Sequence, residues 1–161
     1  MSRIAAIMAG LVVILALSGG FIYLQQDKHM VLDMKISKVR VQKTTEEETL
    51  MIIDFHAKNA SSQTYQVRAK EVELEDKQGR IAEAIVANEG DVNAAFQYYA
   101  ELGPKYNPAM HIGMKIPPKS EGDFMLALMF RLPENIVRQR AKLTARIKEK
   151  AGLISEMVET R

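Results

Sequence analysis

Three histidines, two adjacent serines and a row of alternating glutamates are the residues of this 161-residue chain whose types could do chemistry. His29, His56 and His111 lie outside metal-ligand spacing of one another, whereas a metal site needs three or four converging ligands. Asp54 and His56 share the outward side of an alternating segment, but two residues do not make a site, and a solvated strand face accounts for them. Ser61 and Ser62 sit in the turn-rich Asn59-Ala60-Ser61-Ser62, without the Gly-x-Ser-x-Gly context that exposes a nucleophile. The chain has no Gly-rich phosphate loop. Glu71, Glu73 and Glu75 would stand about 7 Å apart on a strand face open to water, where nothing splits their pKa values for acid–base work. The sequence holds no Cys, which removes disulfides, thiolate metal sites and Cys nucleophiles together. The expectation is a protein that is not an enzyme and takes no cofactor, no metal and no identified small-molecule substrate.

Two groups of residues are better suited to binding than to catalysis. Arg138, Arg140, Lys142, Arg146, Lys148 and Lys150 form a basic run that could meet lipid phosphates or an acidic partner. It could equally pair across strands with the Glu71, Glu73 and Glu75 row, and the sequence leaves both open. Tyr98, Tyr99 and Tyr106 cluster with Pro104 and Met110, and Tyr suits a partner-binding patch because it offers large contact area at low entropy cost. Packing of a helix into a sheet would explain Tyr99 as well. A formal charge of +2 points to no nucleic-acid partner.

The elements that must position these residues are read from periodicity. From Met30 on, Met30, Leu32, Met34 and Ile36 alternate on one parity and Val39 and Val41 on the other, which predicts a strand with a bulge near Ser37. Met51, Ile53, Phe55 and Ala57 alternate against Asp54, His56 and Lys58, a half-buried strand. Tyr65 and Val67, then Val72 and Leu74 on the opposite parity, make a third strand closed by the turn Asp76-Lys77-Gln78-Gly79. Arg80 to Ala87 is the returning strand. Val92, Phe96, Tyr99 and Leu102 change to helical spacing, capped by Asp91 and ended by Gly103-Pro104, so one short helix over Asp91–Leu102 should close one end of a sheet stack. Met110, Ile112, Met114 and Ile116 alternate again. Phe124 to Leu132 is apolar on both parities and should be a central strand covered on both faces. Glu134–Arg140 gives a helical turn, Leu143, Ala145 and Ile147 a further strand, and Ala151–Val158 either an edge strand or a frayed end. Together these predict an all-β, antiparallel two-sheet sandwich of about seven strands.

Before all of these stands Ile4–Leu24, twenty-one residues without a charge, flanked by Arg3 and by Asp27 and Lys28. As a helix it would span about 31 Å, the hydrocarbon thickness of a bilayer. Arg3 and Ala16-Leu17-Ser18 also fit a cleaved signal peptide, but the apolar run continues through Phe21, Ile22, Tyr23 and Leu24, beyond the usual length of such a segment. No Cys stands after it, so a lipid-anchored form is excluded. The division is therefore 1–26 as a single N-terminal transmembrane anchor and 27–161 as the sandwich. Ala9, Gly10 and Gly20 are small residues in the anchor. Ala9 and Gly20 are eleven positions apart and so fall within about 20° around a helix, a face on which another membrane helix can approach closely. Sidedness is in conflict: Lys28, Lys35, Lys38, Arg40 and Lys43 outnumber Arg3 and argue for a cytoplasmic domain, whereas a short basic start before an apolar run is also the layout of a signal anchor that exports its C-terminal domain.

The strand ending Val39-Arg40-Val41, the segment Met51-Ile52-Ile53-Asp54-Phe55-His56-Ala57-Lys58-Asn59, the hairpin Val72-Glu73-Leu74-Glu75-Asp76 with Gly79, and the late Ile116-Pro117-Pro118-Lys119-Ser120-Glu121-Gly122 and Phe130-Arg131-Leu132-Pro133 resemble the immunoglobulin-like domains of unknown function on bacterial membrane-anchored and exported proteins. The resemblance covers about Val31 to Lys148, and it implies an immunoglobulin-like fold and an extracytoplasmic domain, with no catalytic residue. Lys119 stands where a turn of that family usually has Gly. The water-stress and late-embryogenesis sandwich is similar in strand order. The function expected is an accessory or scaffold subunit that binds other membrane or envelope proteins, with Ala9, Gly10, Gly20, Tyr98, Tyr99, Tyr106, Arg138, Arg140 and Lys142 as candidate contact residues. Two alternatives carry structural signatures: a stress-protection sandwich for lipid or a small apolar solute would open an apolar groove between its sheets, and a cryptic enzyme would show a pocket with convergent buried carboxylates.

Overall fold

The computed structural model describes residues 31–161. The expected anchor, with Ala9, Gly10 and Gly20, lies outside them, and among the described residues no helix is long and apolar enough to cross a membrane. The elements are β1 (Asp33–Lys43), β2 (Thr49–Asn59), β3 (Tyr65–Glu75), β4 (Ile81–Glu83), β5 (Ile85–Val86), α1 (Glu89–Tyr98) followed by a 3-10 turn (Ala100–Leu102), β6 (Lys115–Ile116), β7 (Ser120–Phe130), α2 (Glu134–Arg138), β8 (Lys142–Glu149) and β9 (Ile154–Thr160). They build two antiparallel sheets, one in the order β1-β2-β7-β5 and the other β4-β3-β8-β9, with β6 paired to the start of β3. The described residues form nine strands where about seven were expected, because the Arg80–Ala87 segment divides into β4 and β5 and the chain end forms β9.

Alternation fixes what faces inward. Met51, Ile53 and Phe55 of β2, Leu126, Leu128 and Phe130 of β7, Leu74 of β3, and Leu143, Ala145 and Ile147 of β8 meet between the sheets, each at most 1 % exposed. The predicted bulge is present: the β1–β2 register shifts between Ile36 and Lys38. It keeps Val39 and Val41 against the core and turns Lys38 and Arg40 outward. A second shift between Val67 and Ala69 reverses parity in β3.

Four expectations are corrected. The Arg80–Ala87 segment is two strands: Ile81–Glu83 pairs with β3 in one sheet, and Ile85–Val86 pairs with β7 in the other. Between them the Ala84 N–H donates to the Val72 carbonyl at 2.9 Å, and the small Ala82 and Ala84 let the chain cross layers at the open edge while still packing on the core. The expected Met110–Ile116 strand is a loop except for Lys115–Ile116, because Gly113 turns the chain at a φ of 88° and leaves Ile112 exposed. The helix starts at Glu89 and is capped by the Asn88 side chain, not Asp91, and it breaks at Tyr99 before the 3-10 turn. It lies on the outer face of the first sheet and not at an end of the sandwich: Val92, Leu102 and Ala109 bury Leu50, Ile52, Met125 and Ala127 in a second apolar cluster. The fourth correction comes from the third, since Asp54 is 3 % exposed beneath this insert and not on a solvated face. The Ala151–Val158 segment resolves as the edge strand β9.

Two turns carry the chain's special backbone chemistry. Lys119 holds a φ of 52°, the one non-glycine residue in the left-handed region among those described, a conformation that Gly adopts at less cost. At the β3–β4 turn, Gly79 supplies a φ of 78°. The Asp76 carboxylate accepts from the Gln78 and Arg80 backbone N–H groups and from Arg80 Nε at 2.7 Å. Loss of water would raise its pKa, but these donors and the guanidinium charge outweigh that and hold it below its ordinary 3.8.

Replacing Phe130, which is wholly buried, by Ala should cost about 3–5 kcal/mol in a denaturant melt; a midpoint near that of the parent would refute the register. Because the Asp76 pKa is depressed on folding, its contribution to stability is complete above the ordinary value and is lost as pH falls below about 4 through the folded value. Asp76→Asn should therefore lower the melting temperature at pH 7 and flatten its fall on acidification.

Candidate binding surface

The helical insert of residues 88–110 is held to the first sheet by its apolar cluster, by backbone hydrogen bonds between Pro108, Met110 and Met125, and by one buried ion pair. Because of the β1 bulge, Arg40 points outward beside Asp54 of β2, and its guanidinium donates to Asp54 Oδ2 at 2.8 Å. The same group donates through Nη1 to the carbonyls of Leu102 at 2.8 Å and Pro104 at 3.0 Å, the end of the 3-10 turn. The Phe96 ring centroid lies 5.0 Å from the guanidinium carbon and that of Tyr106 5.7 Å. Asn107 Nδ2 closes the set by donating to Asp54 Oδ1 at 3.0 Å. The two side chains are 8 % and 5 % exposed, and the buried Arg40 Nε has no hydrogen-bond partner among the described residues. In the sequence Arg40 counts only as a positive-inside charge; a lone Arg beside apolar Val39 and Val41, with Asp54 between apolar neighbours, is the signal that points to the pair.

On this base the tyrosines form an exposed patch. Tyr98 is 80 % and Tyr106 65 % exposed. Tyr99 is half-buried against the second cluster and meets Tyr98 edge-to-face at 4.8 Å. Lys38 Nζ sits 5.7 Å from the Tyr106 centroid, and Lys105 donates to Asn93 Oδ1, tying the loop to α1. Beside this patch, between α1 and the β1–β2 hairpin, lies an open trough of about 660 Å³. Its apolar lining comes from Leu50, Ile85, Val86, Ala95, Tyr99 and Met129, and its rim from Thr44, Thr45, Glu48, Asn88 and Asp91. The trough is outside the sandwich, whereas the space between the sheets is filled by the main core. Its two carboxylates stand at the rim, Glu48 half-buried and Asp91 exposed.

The basic run is used internally. Arg140 is 1 % exposed, with its guanidinium on Glu159 and the Val137 carbonyl, so it has no face left for a partner. Burial lowers its pKa and Glu159 opposes that. Arg138 pairs with Glu134 and donates to the Val41 carbonyl. Arg146 bridges Glu73 and Glu156, both at 2.8 Å, and these two carboxylates raise its pKa. Lys148 pairs with Glu71. Cross-strand pairing is therefore what the sequence pattern encoded, with Lys142 and Lys150 left outside any ion pair among the described residues. None of these groups adjoins the tyrosine patch in the lining of the trough. His56 Nδ1 meets Asp123 Oδ1 at 2.9 Å, and among the described residues no three His, Cys, Asp or Glu side chains are placed to hold a metal.

No family model matches the chain, and no curated protein matches it by sequence. Among solved structures it is similar to a candidate lipoprotein of Bacillus subtilis (TM-score 0.49, 8 % identity, 81 % of this chain and 37 % of that one). It is also similar to a functionally unknown protein of Listeria monocytogenes (0.47, 10 % identity, 81 % and 77 %). A third likeness is to the archaellum periplasmic stator complex of FlaF and FlaG from Sulfolobus acidocaldarius (0.35, 12 % identity, 84 % and 95 %). The chain thus spans just over a third of the Bacillus protein.

Removing one partner of the buried pair should be severe. Arg40→Met strands the Asp54 charge and should cost roughly 3–5 kcal/mol, whereas Arg40→Met with Asp54→Leu should cost less than either single change, because no ion is left unpaired. A double-mutant cycle read by denaturant melts checks this, and additive losses would refute the coupling.

Proposed function

We propose that this chain is a single-pass membrane protein whose extracytoplasmic, immunoglobulin-like sandwich acts without catalysis, as an accessory or scaffold subunit docking on other membrane or envelope proteins. The observation that carries the reading is the insert itself: a rigidly held platform that presents Tyr98 and Tyr106 to solvent. Exposed aromatics on a fixed base are suited to anchoring a partner, since their contact area comes with little entropy to lose. The immunoglobulin-like assignment is supported by the strand order β1-β2-β7-β5 against β4-β3-β8-β9, with the chain changing sheets after β2, β4 and β7 and again around the short β6. The anchor supplies the second contact, through the small-residue face of Ala9, Gly10 and Gly20. A filled core and a trough whose carboxylates sit at its rim favour binding over hydrolytic chemistry.

Purification of the full chain in mild detergent tests this. Wild type should retain protein partners, and Tyr98→Ser with Tyr106→Ser should lose them while the domain stays folded, at a cost of about 1 kcal/mol for the Tyr106 ring removed from beside Arg40. Leu at positions 9, 10 and 20 should separately release helix-docked partners. Protease added outside spheroplasts should digest the domain. An unchanged partner set in both variants, or protection from that protease, would overturn the corresponding half of the reading.

A further inference from the structure

The exposed Tyr98 and Tyr106 do not line the trough beside them, and the trough has three features of its own. The first is an open strand edge. The strand β5 ends its sheet and pairs on one side only, with β7. Successive strand residues face opposite ways, yet Ile85, Val86 and Ala87 all line the trough, so the backbone edge of β5 is itself one of its walls. An extended chain can hydrogen-bond there as an added strand. The second feature is an apolar floor: Leu50, Ala127 and Met129 below, with Ala95 of α1 and Tyr99 just past its end at the side, and 55 % of Ile85 exposed. A volume of about 660 Å³ falls within the roughly 300–1,000 Å³ of sites that enclose a compact ligand, enough for one large apolar side chain and its neighbours.

The third feature is charge. The trough lining contains two carboxylates, Glu48 and Asp91, and no Lys or Arg. Glu47 stands next to Glu48 on the β1–β2 hairpin, and Glu89 next to the helix start. Lys43 neutralises Glu46 alone; Glu47, Glu48, Glu89 and Asp91 form no ion pair among the described residues. The first-turn Glu89 and Asp91 offset the dipole of α1, but Glu47 and Glu48 have no such role. The hairpin that carries them is held by the Thr44 and Thr45 N–H groups and the Thr44 hydroxyl, all on the Glu48 carbonyl, so the carboxylates are presented from a fixed turn.

We infer that the trough binds an extended segment of a partner protein in which a large apolar side chain is flanked by Lys or Arg: the backbone adds beside β5, the apolar side chain enters over Met129, and the cations meet Glu47, Glu48 and Asp91. This rests on the reading of the chain as a partner-binding subunit and names where, and to what chemistry, it binds.

The probe is a fluorescently labelled, capped peptide of sequence Lys-Val-Leu-Val-Lys, titrated by anisotropy against the full chain in lipid nanodiscs. Its Glu-Val-Leu-Val-Glu counterpart is the control. Binding should be saturable for the basic peptide alone and should weaken with salt. Glu47→Lys with Glu48→Lys, both on the solvent-facing hairpin, should weaken it about fivefold or more. Labelled methionine methyls should report Met129 shifting while the core Met157 stays still. No saturable binding, equal binding of the acidic peptide, or an unchanged affinity in the Glu47→Lys, Glu48→Lys chain overturns the assignment. The same double variant is carried through the detergent co-purification. If wild-type partners survive the charge swap, the trough assignment falls and the partner-binding reading stands. If wild type retains no partner, that reading falls, and the peptide titration alone decides the trough.

Discussion

The Arg40–Asp54 pair is the constraint on which the outer half of this molecule depends. Neither charge is free in water, and their attraction alone does not offset the desolvation of two ions. The arrangement holds because each ion has further partners: the Leu102 and Pro104 carbonyls for the guanidinium, Asn107 for the carboxylate, and two aromatic rings around the cation. All of those partners belong to the insert. The pair therefore ties residues 96–107 to a sheet from which they are separated by long stretches of chain, and it does so at one place. The second apolar cluster and the backbone hydrogen bonds of Pro108 and Met110 to Met125 hold the same insert beside the pair, and Tyr98, Tyr99 and Tyr106 are carried on it.

The two sheets solve the problem of their outer faces differently. On the second sheet, Arg146 and Lys148 of β8 pair with Glu73 and Glu71 of β3 and with Glu156 of β9, and these pairs neutralise one another across the strands. That face is solvated and self-satisfied. On the first sheet, β2 and β7 are apolar on both sides, so Leu50, Ile52, Met125 and Ala127 require a cover. The insert covers them only partly. It stops short of β5, a strand of two residues that arises because the chain changes sheets at Ala84. The trough is thus a consequence of topology, formed where a helix too short to cover the sheet meets an edge strand too short to complete it.

Much of the sandwich was legible because strand periodicity is a local property. Alternation at Met51–Ala57 and Leu143–Ile147, the parity change around Ser37 and the Asp76–Gly79 turn each depend on residues within a few positions, and each is present in the fold. The readings that failed involved partners distant in sequence. Met110–Ile116 alternates as a strand would, but only Lys115 and Ile116 pair with the distant β3, and Gly113 turns the chain before them. Asp54 read as solvated because the helix that buries it lies some forty residues away.

By itself the sequence determined an antiparallel sandwich, the face of each main strand, the absence of Cys chemistry, and an uncharged N-terminal stretch long enough to span a bilayer. The tertiary structure decided which charges are spent and which remain. Arg140 and Arg146 look alike in sequence, yet one is buried on Glu159 and the other bridges two glutamates at the surface. Glu47 and Glu71 are both carboxylates in polar stretches of the chain, and only Glu71 found a cation. The physical reason is that hydrophobic periodicity is written along the chain, whereas the pairing and burial of a charge are set by which strands and loops become neighbours, and that is fixed only when the two layers close.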